Sequence, residues 1–214
     1  MRRSRRSPVR VSVTEGMSAI LYRGLVRLRE EHPDVCIELS IASGRVDLMR
    51  HEADIAILLF RDTQPELIAL KVGEMGWSVY AADAYVARKG LPSLDDLRGH
   101  EIVGFADAAS RSPGARWLAS RADATNVVIR GNSMAAVLNA ARAGMGVAVL
   151  PCFLVSTEAG LVRLTPGTVA VSEAFLVIPA DLKDVTRVKV VLEGLADVFA
   201  RERSLLAGAP GAAG

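Results

Sequence analysis

The stretch that decides the fold runs from residue 131 to residue 151 and reads Gly131-Asn132-Ser133-Met134-Ala135-Ala136-Val137-Leu138-Asn139-Ala140-Ala141-Arg142-Ala143-Gly144-Met145-Gly146-Val147-Ala148-Val149-Leu150-Pro151. Asn132 and Ser133 are residue types that cap helix N-termini, and apolar residues then recur at helical spacing. Gly144 suits the left-handed position that ends a helix, and the apolar run that follows is typical of a strand covered on both faces. The stretch predicts half of a β-α-β unit, whose helix N-terminus could hold an anion. From spacing alone, a purely structural cap is the favoured interpretation.

Length and composition narrow the possible classes of protein. The chain has 214 residues, of which 50% are apolar and 5% aromatic, as in ordinary soluble α/β proteins. This length allows one domain or two small ones. It contains no apolar run of about 18 residues, so the sequence predicts no membrane-spanning helix. The basic N-terminus lacks the apolar core of a secretion signal, which favours the cytoplasm.

Charge and cysteine content point to no special partner. The formal net charge is +2, too small to indicate nucleic-acid binding by the chain as a whole. Residues 1–7 form a basic arm, for which we favour a solvated tail over a contact with phosphate. Cys36 and Cys152 lie in apolar stretches without CxxC spacing, so we expect two buried free thiols.

The rest of the chain alternates predicted strands with predicted helices. Strands at 9–13, 35–41 and 54–59 are separated by a helix at 17–28 and a short helix at 45–52, which requires crossovers and a mostly parallel sheet. Residues 110–114 read as a loop. Near the C-terminus, Asp184 is a candidate cap for a last helix with an apolar face, and residues 207–214 read as a disordered tail.

Five segments in this order resemble the effector-binding domain of LysR-type transcriptional regulators. They are the strand, turn and helix at 9–28 followed by His32-Pro33; Val46-Asp47-Leu48 with Glu52-Ala53-Asp54-Ile55-Ala56-Ile57; Tyr85 to Leu97 with His100; the 131–151 stretch; and Leu182 to Phe199. Each match alone indicates no more than ordinary α/β packing. Five at the right spacing, over nearly the whole chain from Val9 to Leu206, are specific.

The resemblance implies an α/β fold with two Rossmann-like lobes, of the type 2 periplasmic-binding-protein kind, and a cleft between them. Lobe I would comprise residues 8–76 plus 172–206, and lobe II residues 77–171. A LysR-type regulator begins with a winged helix-turn-helix and a linker helix, so we expect an excised domain or a truncated gene product that meets DNA only through a missing N-terminal domain. The resemblance also implies a homodimer, using helix 17–30 and a helix of the other lobe, and a tetramer at full length. We expect no cofactor, no metal and no membrane partner.

A small effector, commonly a carboxylate in this family, would bind in the cleft, where strand ends and helix N-termini meet. Polar candidates at those N-termini are Thr14, Glu15, Ser43, Arg45, Asn132 and Ser133, and candidates for an apolar wall past strand ends are Phe60, Arg61 and Phe105. Glu15 argues against an anion, since its carboxylate could occupy the anion position itself or could select a cationic or hydroxylated effector. Each polar residue could instead be a helix cap or an exposed charge, and each wall residue could be core or rim.

Two other classes of protein remain as alternatives to a ligand-sensing regulatory domain. A transport-type solute-binding protein would have the same fold but would need a secretion signal or lipid anchor. An enzyme is disfavoured, because His32, His51 and His100 fall in predicted loops, without HExxH, G-x-S-x-G or a phosphate loop.

Overall fold

The structure is a computed structural model, and it describes residues 7–14, 16–42, 46–123, 126–156 and 158–209. The chain divides into two units. Unit 1 is the chain up to Gly73 together with Glu173–Glu202, and unit 2 is Glu74–Ser172 together with the chain from Arg203 onward.

The sheet of unit 1 is built around its first strand. Its elements are β1 (Val9–Thr14), α1 (Ser18–Glu31), β2 (Ile37–Ala42), β3 (Ile55–Leu58) and α6 (Thr186–Arg201), with most of β9 (Ala170–Pro179). Strand β1 pairs in parallel with β2 on one side and with β3 on the other, as the crossover argument predicts. On the far side of β3, β9 is antiparallel, so the sheet is mixed rather than parallel throughout.

Helices and strands of unit 1 share an apolar core. The alternating valines of β1 are fully buried, and α1 packs against α6. The predicted apolar face of α6 is confirmed, since Val188, Val191, Leu195, Val198 and Phe199 are buried. Two close contacts join the helices, where Gly24 meets Val198 and Gly194 meets Leu28. Because neither glycine has a side chain, the helices can approach closely.

Three expectations for unit 1 are wrong. In place of a helix at 45–52, residues 48–52 form turns, because the Asp47 carboxylate accepts hydrogen bonds from the N–H groups of Met49 and Arg50 and His51 adopts a positive φ of 53°. Asp184 does not cap α6, whose N-cap residue is Val185. Cys36 is exposed, since it precedes a strand at the edge of the sheet.

Strand β4 (Leu67–Ala82) contributes to both units and differs along its length. Up to Leu70, half-buried and exposed residues alternate, whereas every residue from Met75 to Ala82 is buried. Its first half lies in unit 1, where Lys71 Nζ is 2.6 Å from Glu173 Oε1 of β9. In unit 2 the Trp77 indole N–H donates to Ser172 Oγ at 2.9 Å, within the buried part of the strand.

Unit 2 surrounds the buried half of β4. Its other elements are α2 (Asp83–Lys89), β5 (Ile102–Phe105), α3 (Pro113–Ala119), β6 (Val127–Gly131), α4 (Met134–Arg142), β7 (Ala148–Pro151), α5 (Cys152–Val155), β8 (Leu161–Arg163) and α7 (Arg203–Ala207). Strand β4 is antiparallel to β7 and β8, whereas β5 and β6 are parallel. The loop expected at 110–114 is instead a 3-10 turn, Asp107–Arg111, followed by the start of α3.

The 131–151 stretch folds as predicted. Ser133 caps α4, Gly144 has a φ of +74°, and all four residues of β7 are buried. Cys152 is buried, as expected. Residues 207–209 begin the expected tail, but Arg163 donates to the Gly208 carbonyl and Gly208 packs against Cys152, so these three residues belong to unit 2. Residues 210–214 lie outside the described residues.

Candidate functional site

In unit 1, the candidate site begins where the parallel strands end. Thr14 is the last residue of β1 and pairs with Ala42, the last residue of β2. Its carbonyl accepts the Met17 N–H at 3.2 Å, which starts the turn into α1. Its hydroxyl Oγ1 is buried and has no hydrogen-bond partner within the described part of the chain. A buried hydroxyl without a partner is unusual and costs free energy.

Three of the predicted site residues, Glu15, Ser43 and Arg45, lie outside the described residues. Phe60 and Arg61 follow β3 and are exposed, Phe60 to 49%. Next to them Asp62 is buried, and its carboxylate accepts the backbone N–H of Gln64 at 3.1 Å. Arg61 has no ion-pair partner in the described residues of unit 1, which leaves its positive charge uncompensated there.

In unit 2, the corresponding edge is formed by β5 and β6. The strands end together, because Phe105 pairs with Gly131 and the Ala106 N–H donates to the Gly131 carbonyl at 2.8 Å. Ser133 then caps α4 by accepting the Ala136 N–H on its hydroxyl oxygen at 3.1 Å. That hydroxyl keeps its own proton to donate, so it can hold the helix and a ligand at once. Asn132 is exposed beside it.

Phe105 is part of the core of unit 2. It is 3% exposed, and its ring meets the Trp77 ring edge-to-face, with centroids 6.2 Å apart. Between the two interpretations that the sequence leaves open for this residue, wall or core, the structure shows the core. A ring packed in this way stabilises the sheet beneath the candidate site and does not form an exposed wall.

Sequence reasoning missed Asp107, which lies two residues beyond β5. It is exposed and has a φ of +50°, and its carbonyl accepts a hydrogen bond from the Ser110 hydroxyl. Non-glycine residues rarely adopt this conformation, and Asp is among those that do so more often. This preference of Asp for a positive φ is the only signal for the conformation of Asp107 that the sequence contains.

A polar network lies at the opposite, amino end of β5. The Tyr85 hydroxyl donates to Glu101 Oε2 at 2.8 Å, and Lys89 Nζ lies 2.9 Å from Glu101 Oε1. These hydrogen bonds, that of Lys89 first, lower the pKa of Glu101 to about 2, and burial together with the carboxylate raises the pKa of Tyr85 to about 12. Its place before the strand, not after it, makes this network a structural one.

Metal binding and membrane insertion can be checked over the described ranges. No group of three His, Cys, Asp or Glu residues among residues 7–14, 16–42, 46–123, 126–156 and 158–209 could hold a metal ion. No helix in the same ranges has the length and apolar character needed to cross a bilayer.

Comparison with known proteins identifies the family. The sequence model of the LysR substrate binding domain matches residues 2–200. The chain belongs to this family. It is a family of regulatory, non-enzymatic domains that sense ligands for LysR-type transcription regulators, so the expectation that the chain is not an enzyme is confirmed.

Two curated relatives of the chain are named as HTH-type transcriptional regulators. It is 28% identical over 130 residues to an uncharacterized HTH-type transcriptional regulator of Haemophilus influenzae, covering 58% of this chain and 44% of that protein. It is 24% identical over 151 residues to the HTH-type transcriptional regulator PgrR of Escherichia coli, covering 67% and 50%. The chain therefore spans about half the length of these two curated relatives.

Solved structures confirm the fold. The regulatory domain of CrgA, a LysR-type regulator from Neisseria meningitidis, superposes with a TM-score of 0.77 at 22% identity, covering 91% of this chain and 99% of that one. The effector domain of AmpR from Pseudomonas aeruginosa gives 0.74 at 21%, covering 92% and 97%. The predicted α/β fold of the type 2 periplasmic-binding-protein kind is thus confirmed.

Proposed function

We propose that this chain senses a small anionic effector, a carboxylate, for a bacterial LysR-type regulator in the cytoplasm. The observation that carries the proposal is the buried Thr14 hydroxyl, which lacks a partner among the described residues. It lies at the carboxyl end of a parallel strand, where α/β sheets bind their ligands. An acceptor on a ligand would recover the hydrogen bond that this hydroxyl lost on burial.

Two features favour negative charge on the effector. Arg61 offers a guanidinium with no ion-pair partner in the described part of unit 1, at the end of β3. Ser133 lies at the N-terminus of α4, a nine-residue helix whose dipole is positive at that end. Phe60 supplies an exposed apolar surface beside Arg61. Asn132, Glu15, Ser43 and Arg45 remain candidate contacts, whereas Phe105 supports the site from the core.

We take units 1 and 2 to be the two lobes expected from the sequence. An effector that binds one arrangement of the domain more tightly than another would shift the population toward it. DNA would be bound by a helix-turn-helix domain outside these 214 residues, since the curated relatives are HTH-type regulators about twice as long. The LysR family relatives favour this function over transport of a solute.

The test of the effector site uses variants that preserve the α4 cap. A thermal-shift screen of small carboxylates first finds a compound that raises Tm. Calorimetry then compares Ser133→Thr, which keeps both cap and hydroxyl, with Ser133→Asp, which keeps a cap but adds a negative charge. We expect Ser133→Thr to bind nearly as the parent chain does and Ser133→Asp to bind at least about tenfold more weakly, because like charges repel.

Thr14→Val completes that test, because it replaces the hydroxyl by a methyl group of similar size. We expect it to weaken binding by about tenfold, the effect of one lost hydrogen bond to a charged acceptor. Unchanged affinity in both Thr14→Val and Ser133→Asp would remove these residues from the effector site.

We also propose that the chain forms a homodimer through α1, and a tetramer in the longer protein. On α1, Tyr22 and Val26 are 57% and 61% exposed, and Ile41 of the edge strand β2 is also exposed. Exposed apolar side chains and unpaired strand edges are both typical of interfaces between copies. Leu91 of unit 2 is an exposed apolar residue outside α1 and serves as the control position. Light scattering should find a dimer for the parent chain and for Leu91→Glu, and a monomer for Val26→Glu. A dimer that survives Val26→Glu would contradict the proposed interface.

A further inference from the structure

Unit 2 contains a cavity of about 130 Å³ between the β5–β6 sheet and helix α3. Its walls are small or apolar: Gly104 on β5, Val127 on β6, and Ala115, Leu118 and Ala119 on α3. Ser110, Asp123 and Arg130, all exposed, lie at the rim. The cavity shares Phe105 with the base of the candidate effector site, but neither Asn132 nor Ser133 lines it.

Gly104 has room for one methyl group on this wall of the cavity. A methyl group added to it would be 3.5 Å from Val127 Cγ1 and 3.6 Å from Arg130 Nη1, which are ordinary contacts, so no neighbouring atom fills the position of its side chain. The cavity is partly open to solvent, so a small molecule can reach it from outside. A water molecule needs two to four polar partners, which small apolar walls do not supply, whereas an apolar cavity of about 150 Å³ can hold benzene.

Arg130 gives the cavity a positive charge at one point of its rim. It pairs with Gly104 in the parallel ladder, and its guanidinium lies against the space above that glycine. No ion-pair partner for Arg130 is found within the described residues of unit 2. The carboxylate of Asp123 also lines the cavity, so a bound anion would meet one negative charge there besides the positive charge of Arg130.

We propose that this cavity is a second ligand site, which binds a small apolar monoanion about the size of one ring. The ring lies against Gly104, Leu118 and Val127, and the carboxylate pairs with Arg130. Apolar walls supply the affinity, and a single guanidinium at the rim fixes the orientation of the ligand. The site differs from the proposed effector site, whose contacts are Thr14, Arg61 and Ser133, so each can fail without the other.

Sodium benzoate is the probe that tests this site, by calorimetry and by amide chemical shifts of the labelled chain. We expect binding to the parent chain with a Kd of about 1 mM, as suits so small a ligand. Gly104→Val fills the cavity from the sheet and should abolish binding. Ala119→Leu fills the cavity from the opposite wall, at an exposed position on α3, and should also abolish binding. It replaces Gly104→Val in the test if that variant does not fold.

Charge and location are tested separately. Arg130→Gln should weaken benzoate binding at least about tenfold while leaving binding of uncharged benzyl alcohol unchanged. Thr14→Val and Ser133→Asp should bind benzoate as the parent chain does. The proposal is overturned if benzoate does not bind at about 20 mM, twenty times the expected Kd, if filling the cavity leaves binding intact, or if only Thr14→Val and Ser133→Asp remove it.

Discussion

Thr14 and Ser133 are both hydroxyl residues between a strand and the helix that follows, yet the two units use them differently. In unit 2, the Ser133 hydroxyl accepts the Ala136 N–H and caps α4. In unit 1, the Thr14 hydroxyl is buried without a partner among the described residues, and α1 starts from Met17 with no side-chain cap. The first hydroxyl therefore stabilises its unit with or without a ligand, whereas the second does not.

This difference separates folding from binding. A residue that already caps a helix cannot be removed without loss of stability, so a simple alanine substitution at Ser133 confuses the two roles. A residue with an unsatisfied buried hydroxyl can be replaced by an isosteric apolar one at little cost. The unfolding of unit 2 can be followed separately from that of unit 1. Both tryptophans, Trp77 and Trp117, belong to unit 2, so their fluorescence reports on that unit alone.

The largest effect on the free energy of unfolding is expected for substitutions of the glycines that contact neighbouring side chains in the two units. In unit 2, a Cβ on Gly114 of α3 would lie 2.8 Å from Trp77 Cδ2 and 2.9 Å from Val149 Cγ1. Trp77 cannot move aside, since it is fully buried and donates to Ser172. We expect Gly114→Ala to lower the free energy of unfolding by about 2 kcal/mol, the usual cost of overpacking, as measured by urea unfolding followed by tryptophan fluorescence.

Gly194→Ala in α6 of unit 1 is the matched control for Gly114→Ala. Its Cβ would meet the flexible end of Leu28, 2.9 Å away at Cδ1. Alanine also favours a helix interior over glycine by about 1 kcal/mol, which offsets a small rearrangement of Leu28. We therefore expect a change near zero by circular dichroism. Equal losses in both variants would show that the two helix contacts are equally rigid.

A smaller effect is expected at the two hydroxyls themselves. Ser133→Ala removes the cap of α4 and should cost about 1 kcal/mol of stability in unit 2. Thr14→Val should leave the stability of unit 1 unchanged or raise it slightly, because it removes a buried hydroxyl with no partner in the described residues. Urea unfolding of both variants without ligand measures these changes in the free energy of unfolding. A loss at Thr14→Val as large as that at Ser133→Ala would contradict the assigned roles.

Local patterns predicted much of the fold. The valine alternation at 9–13 and the helical spacing at 17–28 gave β1 and α1, and the 131–151 stretch gave the capped α4, the left-handed Gly144 and the buried β7. In each of these, one periodicity covers the whole element and recognisable end signals bound it. Ser112-Pro113 is an equally clear signal for α3, since Ser112 caps that helix and Pro113 is its first residue, but the turn residues at 110–114 predict a loop instead.

Other features depend on contacts distant in sequence. The full length of β4 was hidden because its first half is partly exposed and its second half buried, so neither pattern covers the strand. Phe105 is core because Trp77, 28 positions earlier, packs against it. The helix expected at 45–52 gave way to local bonds from the Asp47 carboxylate, which outcompete a helix in so short a segment. Of the candidate site, the sequence predicts the cap at Ser133 but not that the buried Thr14 hydroxyl has no partner among the described residues.

The smallest expected effect is a pH dependence that belongs to unit 2. Hydrogen bonds from Lys89 and Tyr85 hold the pKa of Glu101 at about 2, below its ordinary value near 4.5. A carboxyl whose pKa is lowered by folding stabilises the protein above its unfolded pKa, and this contribution is lost as the pH falls from about 5 to 2. Burial, with Glu101 beside it, raises the pKa of Tyr85 to about 12, so its contribution is complete below pH 10 and is lost as the pH rises toward 12.

Glu101→Gln isolates the acid part of this dependence. We expect the parent chain to melt at a higher temperature than the variant at pH 7, and the difference to shrink as the pH falls from 5 toward 2, as followed by tryptophan fluorescence. Lys89→Met removes the strongest cause of the lowered pKa of Glu101. In this variant, the contribution of the Glu101 carboxylate to stability should therefore be lost at a higher pH than in the parent chain. If the difference between parent and Glu101→Gln stayed constant from pH 7 to pH 2, the Glu101 carboxylate would contribute nothing through its charge. The network would then stabilise unit 2 only by the shape and polarity that glutamine also provides.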